Sequence, residues 1–447
     1  MLNKVLIANR GEIAVRIIRA CREMNIKTVA IYSDIDKDSL HTKLADEAIC
    51  VGSAAPSKSY LNVKNILEAA NVTGAEGIHP GFGFLSENAK FAKMCTESNI
   101  KFIGPSAEVI NLMGNKTNAK QLMKDAGVPT VPGSDGKLNS LEEAKKIAKK
   151  VGYPVMLKAS SGGGGKGIRL CNNEEELINY YDIVKQEAKV SFNDDELYLE
   201  KCIVNPRHVE IQILADEYGN CIHLGERDCS LQRNNQKVLE ESPSTVLDDN
   251  LRKKMGEAAI KAVKAAKYAN AGTIEFLVDK DKNFYFMEMN TRIQVEHPVT
   301  EWVTGVDIVK EQLKIASGEK LSFKQEDITF SGHSIECRIN AENPYKNFRP
   351  SPGEIKELNL PGGNGVRIDT AVYTGYKIPP VYDSMIAKLI VHGKDREEAI
   401  SKMKRALDEC VIDGIDTNID FLYKILENNN FRSGNFDTSF IKKEFNM

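Results

Sequence analysis

The stretch Glu288-Met289-Asn290-Thr291-Arg292-Ile293-Gln294-Val295-Glu296 carries the densest set of reactive side chains in the 447-residue chain. As an extended strand, its period of two puts Glu288, Asn290, Arg292, Gln294 and Glu296 on one face. Met287, Met289, Ile293 and Val295 then face the other way, into a core. Such a polar row is costly unless it binds something; the bland alternative is an ordinary solvated sheet face. Glu275 sits among the apolar residues of the preceding strand, and two carboxylates on neighbouring strands want a cation between them. With a polyphosphate nearby, that cation is Mg²⁺, a hard ion suited to carboxylate oxygens. The histidines show no HxxxH or similar spacing, so a zinc site is not expected.

The polyphosphate is suggested by Ser160-Ser161-Gly162-Gly163-Gly164-Gly165-Lys166-Gly167, between the strands Val155 to Ala159 and Ile168 to Cys171. No GxxxxGK[ST] fits, and a strand follows where a Walker A loop would have a helix. Glycines at a hairpin tip let backbone N–H groups wrap phosphates without obstruction. A flexible solvent loop is the alternative, and the flanking Lys158 and Lys166 favour polyphosphate. Arg338 lies in His333 to Asn340, where Glu336, Arg338 and Asn340 alternate with Ile335, Cys337 and Ile339. That pattern predicts one polar and one buried face, and fits a surface ion pair as well as a substrate contact. Near the start, Asn9-Arg10-Gly11-Glu12 offers one glycine where GxGxxG would be needed, so Asp34 after the second strand does not signal a dinucleotide site.

These groups must be positioned by a mixture of strands and helices. Lys4 to Ala8, Thr28 to Tyr32 and Lys101 to Gly104 read as strands and Ile13 to Met24 as a helix, an alternation that implies parallel βαβ units. Ser140 and Glu143 form a capping box for a helix that Gly152 and Pro154 close. A helix from about Leu251 to Ala269 carries Met255, Ala259, Ala262 and Val263 on one stripe. The strands Thr273 to Val278 and Asn283 to Met289 follow, then a helix after Asp307 that stops at Gly318. From about residue 330 strands with glycine-rich turns take over, ending in an amphipathic helix, Arg396 to Glu409.

The bulk numbers suit an ordinary folded protein of roughly two to four domains: 42% hydrophobic, 28% charged, net charge -3. Opposite charges are interleaved without a basic block, which argues against nucleic acid as the main partner. Nine scattered cysteines without CxxC pairs suit a reducing compartment. The start does not read as a signal peptide, and no apolar run reaches the ~20 residues that span a bilayer. A cytoplasmic protein without a membrane partner is therefore expected.

Together the motifs resemble the biotin carboxylase family of ATP-grasp enzymes. The resemblance runs from Ile7-Ala8-Asn9-Arg10-Gly11-Glu12-Ile13-Ala14 to Asp413-Gly414-Ile415-Asp416-Thr417-Asn418. Between them lie His79 to Asn88 (HPGFGFLSEN), Lys158 to Gly167, Asn205 to Glu210, Glu226 to Ser230 and Glu288 to Pro298. The family implies an α/β fold (α+β overall): a Rossmann-like N-terminal domain over 1–114, an ATP-grasp domain over 115–330 with a glycine-rich lid at about 131–203, and a β-rich C-terminal domain over 331–447.

The resemblance also implies roles. Lys116, Lys158, Gly162, Gly163, Gly164, Gly165, Glu200, Lys201, Ile203, His208, Gln232, Asn235, Leu277 and Glu288 match nucleotide contacts. Glu275, Glu288 and Asn290 match the magnesium site, which manganese could fill instead. Lys237, Arg292, Gln294 and the Val295 backbone match a bicarbonate pocket, Glu296 its base, and Arg338 the group that stabilises the biotin enolate. Phe82 stands in the biotin pocket where tyrosine is usual, and Asn235 where histidine is usual. ATP, Mg²⁺, bicarbonate and carrier-bound biotin are the implied ligands, and a homodimer the implied assembly. The chain ends at Met447 without an AMKM-type biotin attachment motif, so a separate carrier protein and carboxyltransferase subunits are expected, as in an acetyl-CoA carboxylase beginning fatty-acid synthesis. A two-chain pyruvate carboxylase would use a similar subunit. Another ATP-grasp carboxylate–amine ligase would share the lid and Glu275/Glu288 but would not need the Arg292-Gln294-Glu296 set. A regulatory subunit without turnover would be expected to lose the base or a magnesium ligand.

Overall fold

The computed structural model describes residues 1–160, 167–192 and 194–446. The chain opens with a parallel sheet of strands β1 (Lys4–Ile7), β2 (Lys27–Ser33), β3 (Glu47–Gly52), β4 (Gly77–His79) and β5 (Lys101–Phe102), in the order β3-β2-β1-β4-β5. Val5 and Ile7 pack with Ile13 and Ile17 of helix α1 (Gly11–Glu23), whereas Leu6 and Ala8 pack with Val29 and Ile31 on the opposite side. Burial on both faces is why Val5 to Ala8 is a continuous apolar run. Strand order reverses between β1 and β4, where open α/β sheets usually leave a ligand crevice. Here Asn9 fills it, its Nδ2 donating to the carbonyls of Pro80 at 2.7 Å and Phe82 at 2.8 Å. Gly81 is required beside it: its φ is +62°, and a Cβ there would lie 2.9 Å from Asn9 Nδ2.

After helix α2 (Lys116–Asp125), helix α3 (Leu141–Val151), strands β6 (Val155–Ala159) and β7 (Ile168–Cys171), helix α4 (Glu174–Phe192) and strand β8 (Leu197–Lys201) close a small core of their own around Ala148, Leu157, Leu177 and Leu199. Ser140 Oγ accepts from Glu143 N at 3.2 Å, but the Glu143 carboxylate accepts from Asn139 N. The expected capping box is thus shifted by one residue on its return leg. The glycines 162 to 165 and Lys166 lie outside the described residues.

Next come β9 (Arg207–Ala215), β10 (Cys221–Arg233), β11 (Gln236–Ser242), helix α5 (Asp249–Ala265), β12 (Asn270–Val278), β13 (Phe284–Asn290), helices α6 (His297–Thr304) and α7 (Ile308–Ala316), β14 (His333–Asn340), β15 (Val366–Thr370), β16 (Met385–Gly393) and helix α8 (Arg396–Glu409). Among the described residues, eight strands form one antiparallel sheet in the order β13-β12-β9-β10-β11-β14-β16-β15. A single alternation organises it. Val209, Ile211, Ile213, Ile274 and Phe276 bury under α5 with Met255 and Ala259. Farther along, Ile335, Cys337, Ile339, Leu389 and Val391 bury under α8 with Ala399 and Met403. The intervening residues, His208, Glu210, Glu275, Glu336, Arg338 and Lys388, occupy the opposite face, where α6 lies across the strands.

Candidate active site

Lys237, at the start of β11, is the hub of that face. Its Nζ lies 2.6 Å from Glu210 Oε2, 3.1 Å from Glu275 Oε1 and 2.6 Å from Glu296 Oε1. Burial alone would lower the Lys237 ammonium, but Cys229, Glu210, Glu275 and Glu296 hold it well above the usual range, so it stays charged. Glu296 is fully buried, with its second oxygen 2.9 Å from Arg338 Nη2. Burial works to raise this carboxyl, yet Lys237, Arg338 and Arg227 together hold it well below the carboxylate range. Arg338 also donates from Nε to Glu240 Oε1 at 2.6 Å, so the surface ion pair allowed by the sequence is instead a buried bridge between two carboxylates.

The row 288–296 is not one strand. β13 ends at Asn290, and Glu296 is the N-cap of α6, with Pro298 in its first turn. The bend is anchored by Glu87, which accepts from Thr291 N at 3.1 Å and from Arg292 Nε at 3.0 Å. Met289 and Ile293 are buried as expected, whereas Met287 and Val295 are only half-buried. The bend nonetheless gathers the polar groups. Arg292 Nη1 donates to Gln294 Oε1 at 2.9 Å, Arg292 Nη2 to Asn290 Oδ1 at 3.0 Å, and Gln294 Nε2 to Glu275 Oε1 at 3.3 Å. The Val295 carbonyl accepts from Lys388 Nζ at 2.8 Å.

Glu275 and Glu288 are direct cross-strand partners on β12 and β13. Like charges placed so are destabilising without a cation, and each has one: Lys237 beside Glu275, and Lys116 Nζ at 3.5 Å from Glu288 Oε2. His208 Nε2 is 3.1 Å from Glu275 Oε2, within ion-pair reach but not aligned as a hydrogen bond. Burial lowers the His208 imidazole, but Glu275 outweighs it and raises the group overall. Two facing carboxylates with the Asn290 amide next to them, all on oxygen-rich side chains, fit a hard divalent ion.

The expected nucleotide contacts spread along the same cleft. Glu200 accepts from Lys158 Nζ at 2.7 Å and from Lys120 Nζ at 3.0 Å. Gln232 Nε2 lies 2.8 Å from His208 Nδ1, and Leu277 pairs with His208 across β9 and β12. Lys201 points elsewhere: its Nζ donates to the carbonyls of Gly152 and Tyr153, satisfying the end of α3. Ile203 follows β8 and is half-buried. Asn235 is exposed in the two-residue turn between β10 and β11. A 20 Å³ cavity beside Arg338 is lined by Arg233, Lys237, Val238, Asn340 and Phe348 among others, and Phe82 is not part of that lining. A separate 390 Å³ cleft lined by Arg16, Arg19, Trp302 and Arg367 holds none of the expected residues.

Sequence reasoning assigned no role to Glu87, Lys120, Glu210, Arg227 or Glu240; four of them contact expected residues directly, and Arg227 holds Glu210. The available signal was β9, where Arg207, His208, Glu210 and Gln212 sit in a strand that is buried throughout.

Family models match in sequence along the chain: the biotin carboxylase N-terminal domain at 1–110, the carbamoyl-phosphate synthase L chain ATP-binding domain at 115–324, and the biotin carboxylase C-terminal domain at 336–443. Biotin carboxylase 1 of Bacillus subtilis is 61% identical, covering 99% of this chain and 98% of that protein. The biotin carboxylase of Campylobacter jejuni, solved with β-γ-ATP, superposes with a TM-score of 0.96 at 52% identity, covering 99% of each chain. The biotin carboxylase domain dimer of Hydrogenobacter thermophilus 2-oxoglutarate carboxylase, solved with MgADP, ADP and bicarbonate, gives 0.95 at 55%, covering 99% of this chain and 98% of that one. Fold and site define an ATP-dependent carboxylating enzyme. The chain belongs to the biotin carboxylase family.

Proposed function

We propose that this chain uses ATP and bicarbonate to carboxylate biotin on a separate carrier protein, as the biotin carboxylase component of acetyl-CoA carboxylase. The observation that carries the reading is Glu296 held between Lys237 and Arg338, beside the Arg292–Gln294 pair. Bicarbonate is a weak nucleophile toward a phosphoryl group, so it needs its proton removed and its charge held. Arg292, Lys237, Gln294 and the Val295 backbone hold the anion, and Glu296 accepts its proton. At rest Glu296 is a poor base because Lys237 and Arg338 stabilise its charge. An anion drawing on Lys237 weakens that hold, so the basicity of Glu296 rises as substrate arrives.

Lys116 and Lys158 neutralise phosphate charge, and Gly162, Gly163, Gly164 and Gly165 match nucleotide contacts by the family resemblance. Glu200, Ile203, His208, Gln232, Asn235 and Leu277 frame the rest of the nucleotide. Glu275, Glu288 and Asn290 would hold Mg²⁺, or Mn²⁺, which when bound offsets charge on the transferring phosphoryl group. Arg338, always charged, stabilises negative charge on the ureido oxygen of biotin, and Phe82 borders that substrate. A homodimer and a cytoplasmic location complete the reading; the Hydrogenobacter relative is a dimer. Among the described residues, no helix is long and apolar enough to cross a membrane.

The test is ADP release with and without bicarbonate and free biotin. Glu296→Gln keeps shape but cannot take the proton, and should cost roughly 10²–10⁴-fold in bicarbonate-dependent ATP cleavage with nucleotide affinity little changed. Wild-type ATP cleavage indifferent to bicarbonate would sink the reading. Reconstitution with carrier and carboxyltransferase subunits, offering acetyl-CoA, pyruvate or 2-oxoglutarate, decides the acyl group; transfer to a keto acid alone would replace acetyl-CoA carboxylase with the corresponding enzyme.

A further inference from the structure

Behind Arg338 lies a second pair of facing acids that none of the roles above uses. Glu240 of β11 and Glu336 of β14 are direct cross-strand partners, and both are fully buried. Glu240 Oε1 is taken by Arg338, but Glu240 Oε2 and both Glu336 oxygens have no hydrogen-bond donor. The cations around them are committed. Arg338 bridges Glu240 and Glu296. Lys388, opposite Arg338 on β16 and fully buried, donates to the Val295 carbonyl and lies 3.2 Å from Glu12 and 3.8 Å from Asp369. Arg367 of β15 is held by Asp369 and Glu301. From α6 come Glu296, Glu301 and a buried His297, and from α1 Glu12. Counting Glu336 itself, three acids (Glu240, Glu296 and Glu336) face two cations (Arg338 and Lys388), and three buried oxygens lack a donor that buried polar atoms ordinarily have.

We propose that Glu240 and Glu336 share one proton in the resting enzyme, and that this acid pair is a positioning element that keeps Arg338 available to the substrate. The role in substrate contact rests on the function proposed above; the shared proton does not. With one proton the pair carries a single negative charge, enough to orient the Arg338 guanidinium through Glu240 Oε1. With none it would carry two, and with Glu296 they would bury the Arg338 charge under three carboxylates. The proton also supplies the missing donor between the opposed carboxyls. Burial pushes both groups above the usual carboxylate range, against the pull of Arg338 on Glu240 and of Lys388 on Glu336. Such a pair titrates as a unit.

The test is infrared spectroscopy of the ligand-free protein with ¹³C-labelled glutamate, alongside the pH profile of bicarbonate-dependent ATP cleavage. The proposal expects a protonated carboxyl C=O band in wild type at neutral pH that is lost in Glu336→Gln, a neutral isostere. It also expects the alkaline limb of the activity profile to move up by about one pH unit in the variant, because that pair can no longer become doubly charged. A structural role alone would not shift the limb. Should the variant fold poorly, wild type still decides: the band must fade as pH rises while circular dichroism stays constant. Absence of the band from wild type at neutral pH overturns the shared proton. Its loss in the variant with an unmoved alkaline limb overturns the positioning role, whatever the outcome for Glu296.

Discussion

At Arg292 the proposed bicarbonate contact depends on how a guanidinium is aimed. Glu87 holds the Nε edge, while Asn290 and Gln294 take the two Nη groups, so the planar fork has one orientation. Glu87 is 42% exposed in its side chain, which limits what the ion pair contributes. Glu87→Gln should raise the bicarbonate KM about fivefold, the effect of losing about 1 kcal/mol, with the ATP KM little changed. Steady-state kinetics with each substrate varied in turn would check it; equal rises in both constants would mean that Glu87 supports the cleft as a whole. Glu87 was visible in the sequence as part of HPGFGFLSEN, but its contact with Arg292 was not, because the two are brought together by the loop that Asn9 ties down.

At the scale of elements, the turn joining β10 to β11 decides where Lys237 sits. Arg233 and Gln236 pair across it, and Asn234 and Asn235 between them have φ of +49° and +64°. Both are left-handed, the conformation of the two-residue hairpin turns that asparagine tolerates and β-branched residues do not. This gives Asn235 a backbone reason to be where it is. Asn235→Val should cost about 1–2 kcal/mol in urea unfolding, whereas Asn235→His should be tolerated, with at most a modest change in ATP KM. A valine variant as stable as wild type would show that the turn relaxes at no cost. The element boundary that the sequence placed wrongly, at 291–296, follows the same logic in reverse: Pro298 starts a helix, and Glu87 pins the bend before it.

Over the whole molecule, one sheet joins β9, β12 and β13 to the C-terminal part through β11 and β14. One tie between them is Glu241, fully buried, 2.9 Å from His333 Nε2 and 2.7 Å from Arg396 Nε at the start of α8. Burial would raise this carboxyl, but Arg396 and His333 bring it down to about 2. A carboxyl depressed in the folded state contributes stability above its unfolded pKa and loses it as pH falls toward the folded one. That contribution should be fully present above pH ~4.5 and disappear toward pH ~2. Glu241→Gln should then unfold with roughly 3 kcal/mol less stability at pH 7, and its urea curves should converge with wild type between those two pH values. Parallel curves across that range would place the acid sensitivity elsewhere.

The sequence by itself determined which side chains lie on each face of β12 and β14, because a strand's period of two needs no tertiary information. It likewise determined the helix over Arg396 to Glu409 and the strands flanking the glycine run, where apolar spacing and turn residues agree. Motif resemblance then pointed to the Glu275, Glu288, Glu296 and Arg338 constellation, whose members the structure gathers on one sheet face. What only the tertiary structure decided is how these charges are divided. The sequence cannot say that Arg338 bridges Glu240 and Glu296, that Lys201 turns away to α3, or that Glu336 is buried without a donor. Those facts come from segments far apart in the chain lying side by side in the fold, and a side chain's electrostatic surroundings are set by such neighbours in space.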